Sequence, residues 1–130
     1  MLRSSYFHPV WTIELALEFV PELRALAAEV RIELLAQAQV VERFGPTTGR
    51  PRVDTLKGSR HANMKELRFD AGGGVWRVAF AFDPARKAIL LVAGDKSGRG
   101  EAAFYRRLIA VADRRFDAHL ARLTARPTRK

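Results

Sequence analysis

Apolar and polar positions change period several times along the chain. Val10-Trp11-Thr12-Ile13-Glu14-Leu15 alternates in the manner of a first strand. Leu23, Leu26, Ala27, Val30, Leu34, Ala38 and Val41 then recur at three- and four-residue spacing. That spacing predicts helix over 21–44, with Pro21 and Glu22 suited to a first turn. So long a helix in a small chain is expected to break near Ala28 or Glu29, and Gly45-Pro46 stops it. Residues 45–53, rich in glycine and proline, read as an exposed loop. Met64–Phe69, Val75–Phe82 and Ala88–Ala93 follow as strands, joined by short turn-bearing links at 70–74 and 83–87. They predict an antiparallel meander whose third strand, apolar on both faces, takes a central position. Glu101–Leu123 returns to helical spacing with Phe104, Leu108, Val111, Ala112, Phe116 and Leu120, and residues 124–130 read as a frayed basic tail. The reading is α+β: one domain over 1–130, a small antiparallel or mixed sheet, an N-terminal helix or helix pair, and a C-terminal helix.

Composition narrows the function classes. With 130 residues and 48% apolar content, the chain can bury a core. It has no cysteine, which excludes a disulfide framework and a cysteine-ligated zinc site. The N-terminal residues lack the apolar region of a secretory signal. The longest apolar run, Ala88–Gly94, falls well short of the ~20 residues a membrane helix needs. A cytoplasmic protein with no membrane partner is expected. Twenty-three Lys and Arg against fourteen Asp and Glu leave a net charge of +9 and a pI near 11.0, which points to a polyanionic partner. The excess is lopsided: residues 1–66 carry nine basic and eight acidic groups, whereas residues 67–130 carry fourteen and six.

Strand parity gives that charge a place. Trp76, Val78, Phe80 and Phe82 share one face and Arg77, Ala79 and Ala81 the other; Leu67 and Phe69 likewise oppose Glu66 and Arg68. Packing the large apolar sides together leaves Glu66, Arg68 and Arg77 on a common face beside small alanines, with Arg77 facing out of the core. Arg77→Ala is then expected to abolish function and leave the fold intact. Lys57-Gly58-Ser59-Arg60-His61 lies just upstream, and Lys96 follows the third strand, so both approach this surface. Such cations bind phosphate oxygens and stabilise charge that grows on them. Gly72-Gly73-Gly74 opens no helix and reads as a hairpin turn, and Gly94 to Gly100 lacks P-loop order. His8, His61 and His119 have no metal-ligand spacing; His119 reads as a surface residue of the last helix, and only His61 stands beside the basic loop.

The run LKGSRHANMKELRFDAGGGVWRVAFAFDPARKAILLVAGDKSG, followed by FYRRLIAVADRRFDAHL, resembles the RelE/ParE-like toxins of type II toxin–antitoxin systems, in their HigB-type, phage Gp49-like branch. Met64-Lys65-Glu66-Leu67-Arg68, Trp76-Arg77-Val78, Ile89-Leu90-Leu91 and Lys96 carry the likeness, in order and at the family's spacing. The resemblance implies a RelE-like toxin fold and a cytoplasmic, growth-inhibiting endoribonuclease, an mRNA interferase that cuts mRNA on the ribosome. It would need no metal or other cofactor, driving a ribose 2′-OH onto the adjacent phosphate. Its partners would be mRNA, the ribosome and a cognate helix-turn-helix-type antitoxin, bound as a hetero-oligomer. Carried over residue by residue, Arg68 and Arg77 hold the scissile phosphate and Lys96 adds charge stabilisation. Glu66 and His61 complete the catalytic candidates, and Lys57, Arg60, Lys65, Arg99 and Tyr105 the phosphate- and substrate-binding ones. The branch usually has a phenylalanine and paired lysines where this chain has Gly94-Asp95-Lys96-Ser97. Two other classes fit the charge: a ParE-like, non-catalytic inhibitor of DNA gyrase, and a nucleic-acid-binding domain without chemistry.

Overall fold

The structure, a computed structural model, describes residues 11–125. Its elements run β1 (Thr12–Leu15), α1 (Phe19–Ala25), α2 (Ala28–Phe44), β2 (Val53–Thr55), β3 (Met64–Ala71), β4 (Gly74–Phe82), β5 (Lys87–Asp95) and α3 (Glu101–Ala125). The strands form one mixed sheet in the order β1-β5-β4-β3-β2. Strands β2 to β5 pair antiparallel, as the meander requires, and β1 joins β5 in parallel. The α+β class and the helix pair stand as expected. The expected strand start at Val10 lies outside the described residues.

Long helical spacing resolves into two helices because the chain extends at Leu26 and Ala27, with ψ of 150° and 146°. Arg31 staples the break, its Nη1 donating to the Leu26 carbonyl at 2.9 Å. The interruption comes just before Ala28, and it frees Phe19 and Leu23 of α1 to pack separately from Val30 and Leu34 of α2. At the end of α2, Gly45 adopts φ +60°, and a Cβ there would lie 2.3 Å from the Trp11 ring. Only glycine serves both demands.

The apolar third strand, β5, takes a central position as expected, flanked by β1 and β4, and owes its two apolar faces to the helices that cover it on both sides. Three sequence expectations are corrected. The loop read over 45–53 ends in a strand, because Val53–Thr55 pairs with Lys65–Leu67 and buries Val53 against the core. The tail expected to fray from 124 is helical through Ala125, and 126–130 lie outside the described residues. His119 is no surface residue. It is 5% exposed, and its Nε2 lies 2.8 Å from Asp83, whose carboxylate also accepts the Ala85 and Lys87 amides. This buried pair ties the end of α3 to the β4–β5 turn.

Parity divides the sheet as the alternation implies. Leu67, Val78 and Phe80 are fully buried on one side, and α2 packs across β1 and β3. The other side carries Glu66, Arg68, Arg77 and Ala79, with Glu66 opposite Ala79 and Arg68 opposite Arg77. That second face is not a solvated one. Helix α3 lies over β4 and β5, Ala79 and Ala81 have no exposure, and Glu66 and Arg77 are only 5% and 6% exposed. Among the described residues, no helix is long and apolar enough to cross a membrane.

Candidate active site

The site begins with a pairing that ought to repel. Arg68 and Arg77 face each other across β3 and β4, and like charges in that position destabilise a sheet. Glu66, two residues before Arg68 on the same face, answers both. Its Oε2 accepts from Arg68 Nη1 at 3.2 Å, and its Oε1 lies 3.7 Å from Arg77 Nε. Tyr105, on the second turn of α3, completes the cluster: its hydroxyl donates to Glu66 Oε1 at 2.7 Å and accepts from Arg77 Nε at 3.1 Å. Arg77 also donates to the Trp76 carbonyl at 2.9 Å, so its guanidinium is held from two sides. Burial and the bond to Glu66 push the Tyr105 hydroxyl above the ordinary tyrosine value, so it keeps its proton at neutral pH.

Two local devices bring these groups together. Gly94 stands opposite Arg77, and a Cβ there would sit 2.9 Å from the Phe104 ring. Lacking one, the first turns of α3 settle close on the sheet and Tyr105 reaches Glu66. At the end of β5, Asp95 accepts from the amide and hydroxyl of Ser97 and from the Val75 amide, bonds that hold its carboxyl below the usual range. This turn holds Lys96 beside α3, where its Nζ is 3.4 Å from Glu101 and 5.7 Å from the centre of the Tyr105 ring.

An open cleft of about 770 Å³ lies in front of this cluster. Lys57, Glu66, Arg68, Lys96 and Tyr105 line it, together with Asp54, Thr55 and Glu101. Half of the ten residues singled out by sequence therefore share one cavity. Arg77 does not line it; it sits behind Tyr105, so the expectation that it faces out of the core is corrected. Arg60 and His61 turn to α3 instead. Both bond Asp117, His61 at 2.7 Å, while Asp113 accepts from Ser59 Oγ at 2.5 Å and from the Arg60 amide at 3.2 Å. The Asp117 carboxyl is held below the usual range by these two partners. Lys65, of opposite parity to Glu66, bonds Thr55 at the sheet edge, and Arg99 lines a separate crevice.

Sequence reasoning missed β2, the short strand that aligns Asp54 and Thr55 along the cleft and leads to Lys57. The β-branched Val53 and Thr55 flanking Asp54 were the available signal, too short to stand out from a loop. Among the described residues, no group of three or more His, Asp or Glu side chains is placed to share a metal ion.

The mixed five-stranded sheet with a helix pair and a C-terminal helix matches the fold of the toxin RelE. The E. coli toxin RelE, as a mutant in the free state, superposes with a TM-score of 0.52 at 14% identity, over 76% of this chain and 93% of that one. Sequence comparison is closer. The family model described as phage derived protein Gp49-like matches residues 21–117, and the chain belongs to that family. "Putative toxin HigB2" of Mycobacterium tuberculosis is 48% identical over 100 residues, which cover 76% of this chain and 49% of that protein, so the chain spans about half of HigB2's length. "Putative toxin HigB3" of the same organism is 44% identical over 75% of this chain and 82% of its own length. The resemblance read from the sequence is thereby established as family membership, in the HigB-type branch.

Proposed function

We propose that the chain is the toxin of a toxin–antitoxin pair, an endoribonuclease that cuts mRNA on the ribosome without a metal and is silenced by a cognate antitoxin. The observation that carries this reading is the convergence of Lys57, Arg68 and Lys96 on one open cleft that has Tyr105 at its base. The names of HigB2, HigB3 and RelE as toxins support it.

Cleavage by a 2′-hydroxyl needs positive charge on the phosphate oxygens and a proton for the departing 5′-oxygen. Arg68 and Lys96 supply the charge. Arg68 is partly exposed to the cleft while it keeps its bond to the buried Glu66, and Lys96 is paired with the exposed Glu101, a pair that an entering phosphate displaces. Lys57 draws the strand in from the cleft mouth. Tyr105 keeps its proton at neutral pH and gives it to the 5′-oxygen, while Arg77 Nε, donating to the same phenolic oxygen, stabilises the phenolate left behind. The 2′-oxygen bonds to phosphorus as the bond to the 5′-oxygen breaks; water carries off the 2′-hydroxyl proton, and a proton from water then restores the Tyr105 hydroxyl, so the cycle closes with no net change in the protein. The ends are a 2′,3′-cyclic phosphate and a 5′-hydroxyl. Glu66 positions Arg68 and Tyr105, and Arg60 and His61 anchor to α3 the loop that presents Lys57.

The test is a labelled mRNA incubated with the purified chain, stripped of metal with EDTA and freed of the chelator, with and without programmed ribosomes in magnesium buffer. Cleavage on ribosomes to those two ends is expected. Uncut RNA under both conditions, or activity that EDTA removes, contradicts the proposal.

A further inference from the structure

Strand β5 outruns its parallel neighbour. Thr12–Leu15 pair with Lys87–Leu90, and the Ala16 amide adds a last bond to the Leu90 carbonyl, which leaves Leu91–Asp95 with β4 on one side and, among the described residues, no strand on the other. The Lys96 amide bonds the Val75 carbonyl, so alternation points the main-chain groups of Gly94 and Val92 toward Arg77 and Ala79. The N–H and C=O of Ala93 then face the open edge, beside a Leu91 carbonyl that Arg115 already occupies at 2.8 Å. A crevice of about 260 Å³ runs along this edge, between α1 and α3 and apart from the candidate active site. Its wall is apolar, made by Phe104, Leu108 and Val111, and Arg99 and Arg107 stand at its rim. Among the described residues neither arginine makes an ion pair within 4.0 Å. Asp95 acts on Arg99 only at longer range, and Glu22, the carboxylate of the crevice, is taken up by Arg115 at 2.8 and 2.6 Å.

We propose that this edge receives an extended segment of the antitoxin, added as a sixth strand, with an apolar side chain against Phe104 and Val111 and acidic side chains on Arg99 and Arg107. The inference rests on the toxin–antitoxin reading above. A peptide fits better than RNA for a stated reason. Strand addition satisfies both the N–H and the C=O of Ala93, whereas a phosphate only accepts, and the apolar wall gives a phosphate nothing. Unpaired arginines beside an apolar wall call for a partner that alternates acidic and apolar positions.

The test uses the complex purified with the antitoxin, taken as the neighbouring reading frame whose co-expression restores growth, and the full-length toxin refolded from it. Amide hydrogen exchange across 91–95 is expected to slow at least tenfold in the complex. Arg107→Glu is expected to raise the antitoxin Kd at least tenfold while growth arrest by the toxin alone is retained. Unchanged exchange at 91–95 overturns the proposal. So does an Arg107→Glu toxin that binds antitoxin normally but loses affinity for ribosomes, since that outcome assigns the crevice to RNA. Growth arrest by the unmutated chain is scored separately, so a failure of the toxin reading is distinguishable from a failure at this edge.

Discussion

Arg77→Ala separates a structural arginine from a ligand-facing one. The Arg77 side chain is 7% exposed and Arg68 is 30% exposed, yet the two stand opposite each other and share Glu66. Truncating Arg77 removes the bond to Tyr105 at 3.1 Å, the bond to the Trp76 carbonyl at 2.9 Å, and the buried packing of its stem. It also leaves Glu66 buried with one cation fewer. Breaking a buried pair costs about 3–5 kcal/mol, and Arg68, still 3.2 Å from Glu66, offsets part of that. A loss of about 2–4 kcal/mol follows, or a drop in Tm of roughly 10 °C for a chain of this size. Arg68→Ala removes a partly exposed pair worth about 0–1 kcal/mol and leaves Tm within ~3 °C. Calorimetry on both variants, purified from their antitoxin complexes, reads the difference. Equal shifts would refute the claim that the Glu66–Tyr105–Arg77 cluster is a buried structural unit.

Further outcomes follow from the same geometry. Tyr105→Phe leaves the Glu66 and Arg77 groups short of one partner each, so it is expected to lower stability by about 1–3 kcal/mol in urea denaturation and the cleavage rate by about 10²–10⁴-fold. Because the Tyr105 proton is held above the ordinary tyrosine range, the ribosome-cleavage rate is expected to show no loss from this group between pH 7 and about 9, and a fall centred there would contradict its role as acid. The Glu22 and Asp117 carboxyls are held below their usual range by Arg115, and by Arg60 with His61. Their pairings therefore stabilise the fold above that range and are lost as pH falls through the lowered values. Tm is expected to be level from pH 7 to about 5 and to drop below about pH 4, less steeply in Glu22→Gln. Gly94→Val drives a side chain into the Phe104 ring and is expected to cost about 1–3 kcal/mol and to weaken cleavage by lifting Tyr105 from Glu66.

Much of this architecture was legible because periodicity reports burial. The long C-terminal helix buries one well-marked side, the large apolar residues of the meander mark its first buried face, and parity on β3 and β4 correctly grouped Glu66, Arg68 and Arg77. Parity assigns a face, however, and says nothing of what covers it. Arg77 and Ala79 belong to the expected face, but α3 descends on them through the gap at Gly94, a tertiary approach with no local signature. His119 was misplaced for the same reason: its partner Asp83 lies in a turn 36 residues away. Arg60 and His61 looked like site residues because they adjoin Lys57, yet Asp113 and Asp117, far along the chain, hold them elsewhere.

The central claim is that the Lys57, Arg68, Lys96 and Tyr105 cleft cuts RNA, and primer extension on cellular mRNA after induction tests it most directly. Wild-type chain is predicted to give discrete cuts within translated regions, and Arg68→Ala, folded with an unchanged Tm, to give none. Growth arrest with intact mRNA and altered DNA supercoiling, or cuts that persist in Arg68→Ala, would contradict it.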